Sequence, residues 1–235
     1  MSTKKLIVAL DFSNSEEVSQ IINFLNPEKC ILKVGLQLYL AEGESILDLL
    51  TNKGFEIFLD LKLHDIPNTV NKAVEEIAQF NILMTTIHLQ GGAEMIAAAK
   101  SAAGNTKILG VSLLTSLDEN DTSELYGNSF DDQFTKLITL AKSSSVDGIV
   151  CSPKELISLN DLNKIKVVPG IRNTQTNDDQ KRTMTSQEAY AQGADYIVVG
   201  RPITQANNIE AAIEYNQLAL NSSPRHSSSL RMKSS

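Results

Sequence analysis

The stretch Leu59-Asp60-Leu61-Lys62-Leu63-His64-Asp65-Ile66-Pro67-Asn68-Thr69-Val70 joins the end of one regular element to the start of another. Residues 56–63 alternate well enough for a strand, which sets Asp60 and Lys62 on one face and Leu59, Leu61 and Leu63 on the other. Pro67 then falls in the first turn of a helix expected over 66–80, where a missing N–H costs nothing. The charges follow the spacing Asp-x-Lys-x-x-Asp. A plain salt bridge at a strand end, with Asp65 accepting from the first helical amides as a cap, would use the same residues. The sheet argues against that reading. A parallel sheet covered on both faces is normally apolar on both, and a charged pair there is costly unless it is used or compensated.

The same strand-then-helix unit recurs along the chain. Apolar runs at 6–10, 31–35, 83–89, 107–114, 148–151, 166–169 and 196–199 read as further strands. Helical spacing follows most of them: Val18, Ile21, Ile22 and Leu25 after a cap within 13–15, then Ile46, Leu47, Leu49 and Leu50. Further helices are expected up to Ala103, over 131–144, from Pro153, and over 208–220. Eight strands alternating with eight helical segments predict a parallel sheet with helices outside, and eight strands close a barrel. The expected fold is a single-domain (β/α)8 TIM barrel over residues 1–220, with 221–235 as a disordered serine-rich tail. An open doubly wound sheet is the alternative, but the first strand lacks the Gly-x-Gly-x-x-Gly turn of a dinucleotide site.

Active sites of such barrels lie at the C-terminal ends of the strands. Asp11, Lys33, Asp60, Lys62, His88, Thr115, Arg172 and Arg201 all fall at or just past the expected ends. Gly200 lets backbone amides approach an anion, and Arg201 offers a planar fork suited to phosphate oxygens. The polar connection 173–181 follows the seventh strand and reads as a mobile lid. Lys62 has carboxylates as sequence neighbours. Each one at about 4 Å favours an ammonium by about 4 kcal/mol at an effective dielectric of about 20, which disfavours imine formation. A fixed ammonium among aspartates suits stabilisation and protonation of a developing carbanion.

Composition narrows the setting. Net charge is −7, and the last fifteen residues hold Arg225, Arg231 and Lys233 without an acid, so the first 220 carry 18 basic against 28 acidic residues. Such a body is a poor nucleic-acid binder, and an anionic metabolite would be met by a few local cations. No apolar run is long enough to span a bilayer, and Met1-Ser2-Thr3-Lys4-Lys5 leads into a strand, so a soluble cytoplasmic protein with no membrane partner is expected. Cys30 and Cys151 are too few and too far apart for a disulfide framework or a zinc cluster, and both read as buried thiols.

The ordered set Val8-Ala9-Leu10-Asp11, Leu32-Lys33-Val34-Gly35, Asp60 to Thr69, Leu114-Thr115-Ser116, Pro169-Gly170-Ile171-Arg172, Asp179-Gln180 and Val198 to Thr204 resembles the bacterial orotidine 5'-phosphate decarboxylases. The resemblance implies a homodimeric lyase of pyrimidine nucleotide synthesis that needs no metal or organic cofactor. It implies that Lys33, Asp60, Lys62 and Asp65 form a charge network around C6 of the pyrimidine, with Lys62 as proton donor. Asp65 and Thr69 would reach into the partner's site. Asp11 would hold ribose hydroxyls, Thr115 and Ser116 the base, and Arg172, Gln180, Gly200 and Arg201 the phosphate. The chain departs from the family at Ile87-His88-Leu89-Gln90, and His88 is expected to be a packed histidine. A related magnesium-dependent phosphosugar decarboxylase or aldolase-type barrel is the alternative, since it shares Asp-x-Lys-x-x-Asp.

Overall fold

A computed structural model of the chain describes residues 5–114, 116–172 and 184–221. Thr115, Gln180, the connection 173–181 and the tail beyond Asn221 lie outside the described residues.

The elements run β1 (Leu6–Leu10), α1 (Ser15–Ile22), β2 (Ile31–Gly35), α2 (Leu36–Glu42), α3 (Glu44–Asn52), β3 (Ile57–Leu63), α4 (Pro67–Ala78) and β4 (Met84–His88). They continue with α5 (Gly92–Ala102), β5 (Lys107–Val111), α6 (Glu119–Tyr126), α7 (Phe130–Ser143), β6 (Gly148–Val150), α8 (Pro153–Leu156) and β7 (Ile165–Val168). The last are α9 (Ser186–Ala191), β8 (Tyr196–Val199), α10 (Arg201–Thr204) and α11 (Ile209–Asn221). The strands follow one another in sequence order and close into a barrel. β1 pairs in parallel with β2, Ala9 opposite Lys33, and with β8, Val8 opposite Val199. The fold is the expected (β/α)8 barrel. By contacts the chain forms two compact units, one of Met1–Asp60, Ser152–Asp161 and Lys166–Ser235, the other of Leu61–Cys151 and Leu162–Ile165.

Local chemistry explains the helix starts. The side chain of Asn14 accepts from the Glu17 amide at 2.9 Å, so the cap of α1 lies within the expected 13–15 window. Ser152 with Glu155 and Thr185 with Glu188 form reciprocal capping boxes at α8 and α9. In α4 the buried residues Val70, Val74 and Ile77 recur at helical spacing and line one stripe. The segment after β2 departs from expectation by holding two helices, because Gly43 at φ +61° breaks the run between α2 and α3.

The strands supply the core. All five residues of β1 are buried, as are Ile31, Leu32 and Val34 of β2. Cys30 and Cys151 are buried free thiols, as expected. Among the described residues no helix is long and apolar enough to cross a membrane. At Gly148 on β6 the close neighbour is backbone, since an added Cβ would stand 2.5 Å from the Ile165 carbonyl oxygen. Backbone cannot yield there as a flexible side chain would. Gly148→Ala is therefore expected to lower stability by about 1–3 kcal/mol, read as a reduced urea midpoint at unchanged slope.

Candidate active site

β3 changes character along its length: Ile57, Phe58 and Leu59 are buried, and the four residues from Asp60 to Leu63 are half-exposed. Hydrophobic pairing holds the strand at its start, and its charges emerge toward its C-terminal end. Gly35 of β2 stands opposite Asp60 in the ladder. That register brings two of the expected residues together. Lys33 Nζ lies 3.3 Å from Asp11 Oδ1 and 3.9 Å from Asp60 Oδ2. The ammonium thus bridges two carboxylates supplied by β3 and by the residue following β1.

Lys33 was expected at a strand end but sits at the centre of β2, its side chain 13% exposed. Gly35 eases this placement. A Cβ at that position would come within 3.1 Å of Lys33 Nζ, so the missing side chain is the space the ammonium uses. Gly200, just past β8, lies beside Asp11, since a Cβ there would stand 3.4 Å from Asp11 Oδ2, in ordinary contact. Gly200 is also the N-cap residue of α10, which begins with the exposed Arg201. Asp11, Lys33, Asp60 and Gly200 therefore form one cluster, with Arg201 next in the chain. Arg172 is buried at 8%, its Nη1 donating to the Ile171 carbonyl at 3.0 Å and its amide to the Met184 carbonyl at 2.9 Å.

The residues after Asp60 show what strand periodicity could not. Lys62 has φ +52°, the left-handed region that lysine rarely adopts. The regular strand alternation that the sequence predicts is therefore interrupted at this residue. Its amide donates to Thr86 Oγ1 on β4 at 2.8 Å, and Thr86 is wholly buried. Asp65 is not the cap of α4. The N-cap is Ile66, which makes no side-chain cap hydrogen bond, and Asp65 Oδ1 accepts instead from the adjacent Ile66 amide at 2.7 Å. Asp65 and Thr69 are both exposed, with Ile66 between them 65% exposed.

His88 makes a ring contact on one side. It is half-buried at the end of β4, and its ring lies 5.4 Å from that of His64 between centroids, at a 41° tilt. Nearby in the same unit, Gln90 Nε2 donates to the Ser112 carbonyl at 3.0 Å. Ser116 is exposed in the turn beyond β5. Among the described residues no group of three or more His, Cys, Asp or Glu side chains is placed to hold a metal ion.

A parallel eight-stranded barrel bearing acids and amines toward the C-terminal ends of its strands belongs to the large class of barrel enzymes that work at that face. Within that class, the model of the orotidine 5'-phosphate decarboxylase / HUMPS family matches residues 4–215, and the chain belongs to this family. A curated orotidine 5'-phosphate decarboxylase of Neisseria meningitidis serogroup C is 43% identical over 225 residues, covering 91% of this chain and 92% of that one. One from Nitrosospira multiformis is 41% identical over 226 residues, with 93% of each covered. The crystal structure of orotidine 5'-phosphate decarboxylase from Lactobacillus acidophilus superposes with a TM-score of 0.83 at 36% identity, covering 93% of this chain and all of that one.

The two partners of Lys33 differ in exposure, 66% for the Asp11 side chain and 12% for that of Asp60, and this decides their weight. Water screens the first pair, whereas loss of the Lys33 charge removes a cation from a carboxylate that water reaches poorly. Lys33→Met is expected to cost about 1–3 kcal/mol at pH 7, against less than about 1 kcal/mol for Asp11→Ala. Urea unfolding of the two variants beside the parent measures the difference.

Proposed function

We propose that this chain decarboxylates orotidine 5'-phosphate to uridine 5'-phosphate in pyrimidine nucleotide synthesis. The observation that carries the reading is the cluster Asp11–Lys33–Asp60, continued along β3 by Lys62 and after it by Asp65, in a chain whose relatives bear that enzyme's name. The C6–carboxylate bond breaks, carbon dioxide leaves, and the electron pair stays on C6. The Lys62 ammonium stabilises that charge and transfers a proton to C6, giving the product. Alternation of sign among Lys33, Asp60, Lys62 and Asp65 keeps the amine cationic and oriented. No metal or organic cofactor takes part in this scheme.

The remaining roles follow the family pattern. Asp11 holds ribose hydroxyls, Thr115 and Ser116 contact the base, and Arg172, Gln180, Gly200 and Arg201 receive the phosphate. The chain works as a homodimer in which Asp65 and Thr69 complete the partner's site. Exposure of both residues around an exposed Ile66 supports this part, because an apolar side chain at 65% exposure beside functional polar groups suits a contact surface.

Loss of the substrate's absorbance on mixing with purified protein tests the activity directly. Turnover that survives a strong chelator separates it from the magnesium-dependent barrel. Absence of carbon dioxide release would overturn the proposal. Lys62→Ala is expected to lower kcat by at least about 1,000-fold while uridine 5'-phosphate still binds, since the ammonium acts on charge present only during reaction. Near-parent kcat would remove Lys62 from the mechanism. Arg201→Ala should raise KM by about 10- to 100-fold, the worth of a charge-assisted hydrogen bond to phosphate, and steady-state kinetics reads it.

A further inference from the structure

Lys62 and Asn81 are the non-glycine residues with positive φ among the described part of the chain, and they differ in setting. Asn81 lies in the turn before β4, where a short amide side chain tolerates left-handed backbone. Lys62 lies within β3, where nothing in a lysine favours it. A conformation of this kind costs about 1–3 kcal/mol and persists only where the surroundings over-determine it. One such determinant is visible. The Lys62 amide meets a side-chain oxygen, Thr86 Oγ1 at 2.8 Å, where a strand amide would ordinarily meet a ladder carbonyl. Thr86 is 0% exposed, so water cannot replace that acceptor. Its position is fixed by pairing opposite Leu109 of β5, and its β-branched side chain has few rotamers to choose from.

We infer that Thr86 is a positioning residue for Lys62: its buried hydroxyl holds the Lys62 amide in the left-handed turn that aims the ammonium at the reacting carbon. The hydroxyl accepts from the Lys62 backbone amide, and its effect on the reaction is expected to pass through that contact. This rests on the proposed decarboxylation, in which Lys62 is the proton donor. Thr86→Val keeps the shape and removes this acceptor from the Lys62 N–H. Displacement of a reacting group by about 1 Å costs about 100-fold in rate.

The test compares the parent with T86V and T86S in kcat, KM, affinity for uridine 5'-phosphate, and amide exchange at Lys62. T86V is expected to lose about 100-fold in kcat with KM and product affinity near the parent's, and to exchange its Lys62 amide faster. T86S, which keeps the hydroxyl, is expected to recover most of the rate and the slow exchange. Parent-like kcat in T86V overturns the inference, as does a loss of kcat and product affinity together that T86S does not rescue. If T86V does not fold, T86A removes the same hydroxyl without a second methyl group and is judged by the same outcomes. A parent protein without turnover defeats the proposed function alone. The Lys62 exchange rates of T86V and T86S then still decide whether Thr86 holds that amide.

Discussion

Closing eight parallel strands pairs β1 with both β2 and β8, which leaves no open edge and fills the strand interiors with apolar side chains. In such a sheet an uncompensated charge costs several kcal/mol. Charge therefore collects where strands emerge, or it arrives with a partner already in place. Lys33 is the second kind. It sits mid-strand, with Asp11 and Asp60 within 3.3 and 3.9 Å and with the space over Gly35 to lie in. Asp60, only 12% exposed, offsets most of the cost of placing that ammonium, and the water-screened Asp11 adds less than about 1 kcal/mol. The barrel tolerates the cation because the acids come with it, and the same pairing organises one side of the candidate site.

Much of this was legible in the chain. The runs at Leu6–Leu10, Ile31–Gly35 and Tyr196–Val199 coincide with their strands because apolar content and ladder pairing end together there. The fifth strand was expected to reach residue 114 but stops at Val111, although Ser112 and Leu113 stay buried. Hydrophobicity reports burial, and a ladder also needs a neighbour. The helix α9 gives a weak signal because it is only six residues long, and the capping box Thr185 to Glu188 is the better mark of its start.

The site was legible in its residue types and less so in its geometry. Asp11, Lys33 and Asp60 can be collected from strand ends, and the structure does bring them together. Asp65 carries the same letters whether it caps a helix or bonds its neighbour, and only coordinates show the latter. Gly35 reads as a strand-ending glycine until the Lys33 ammonium is seen above it. Thr86 offers no signal, since a threonine in a strand of buried residues is ordinary by propensity. Its importance comes from the amide it meets on another strand, a pairing no periodicity encodes.

The left-handed turn at Lys62 is where local preference and the demands of the site part company. Regular β backbone through residue 62 would cost less and would leave lysine and Asp60 side by side on one face. At φ +52° the backbone of Lys62 departs from that regular course, and its amide meets Thr86 Oγ1. In the proposed reaction the strain of about 1–3 kcal/mol is small beside the stabilisation of a developing carbanion by a fixed cation, for which removal of one preorganised donor commonly costs about 3–4 kcal/mol. On these magnitudes the strained backbone at Lys62 costs less than the proposed proton donor would contribute.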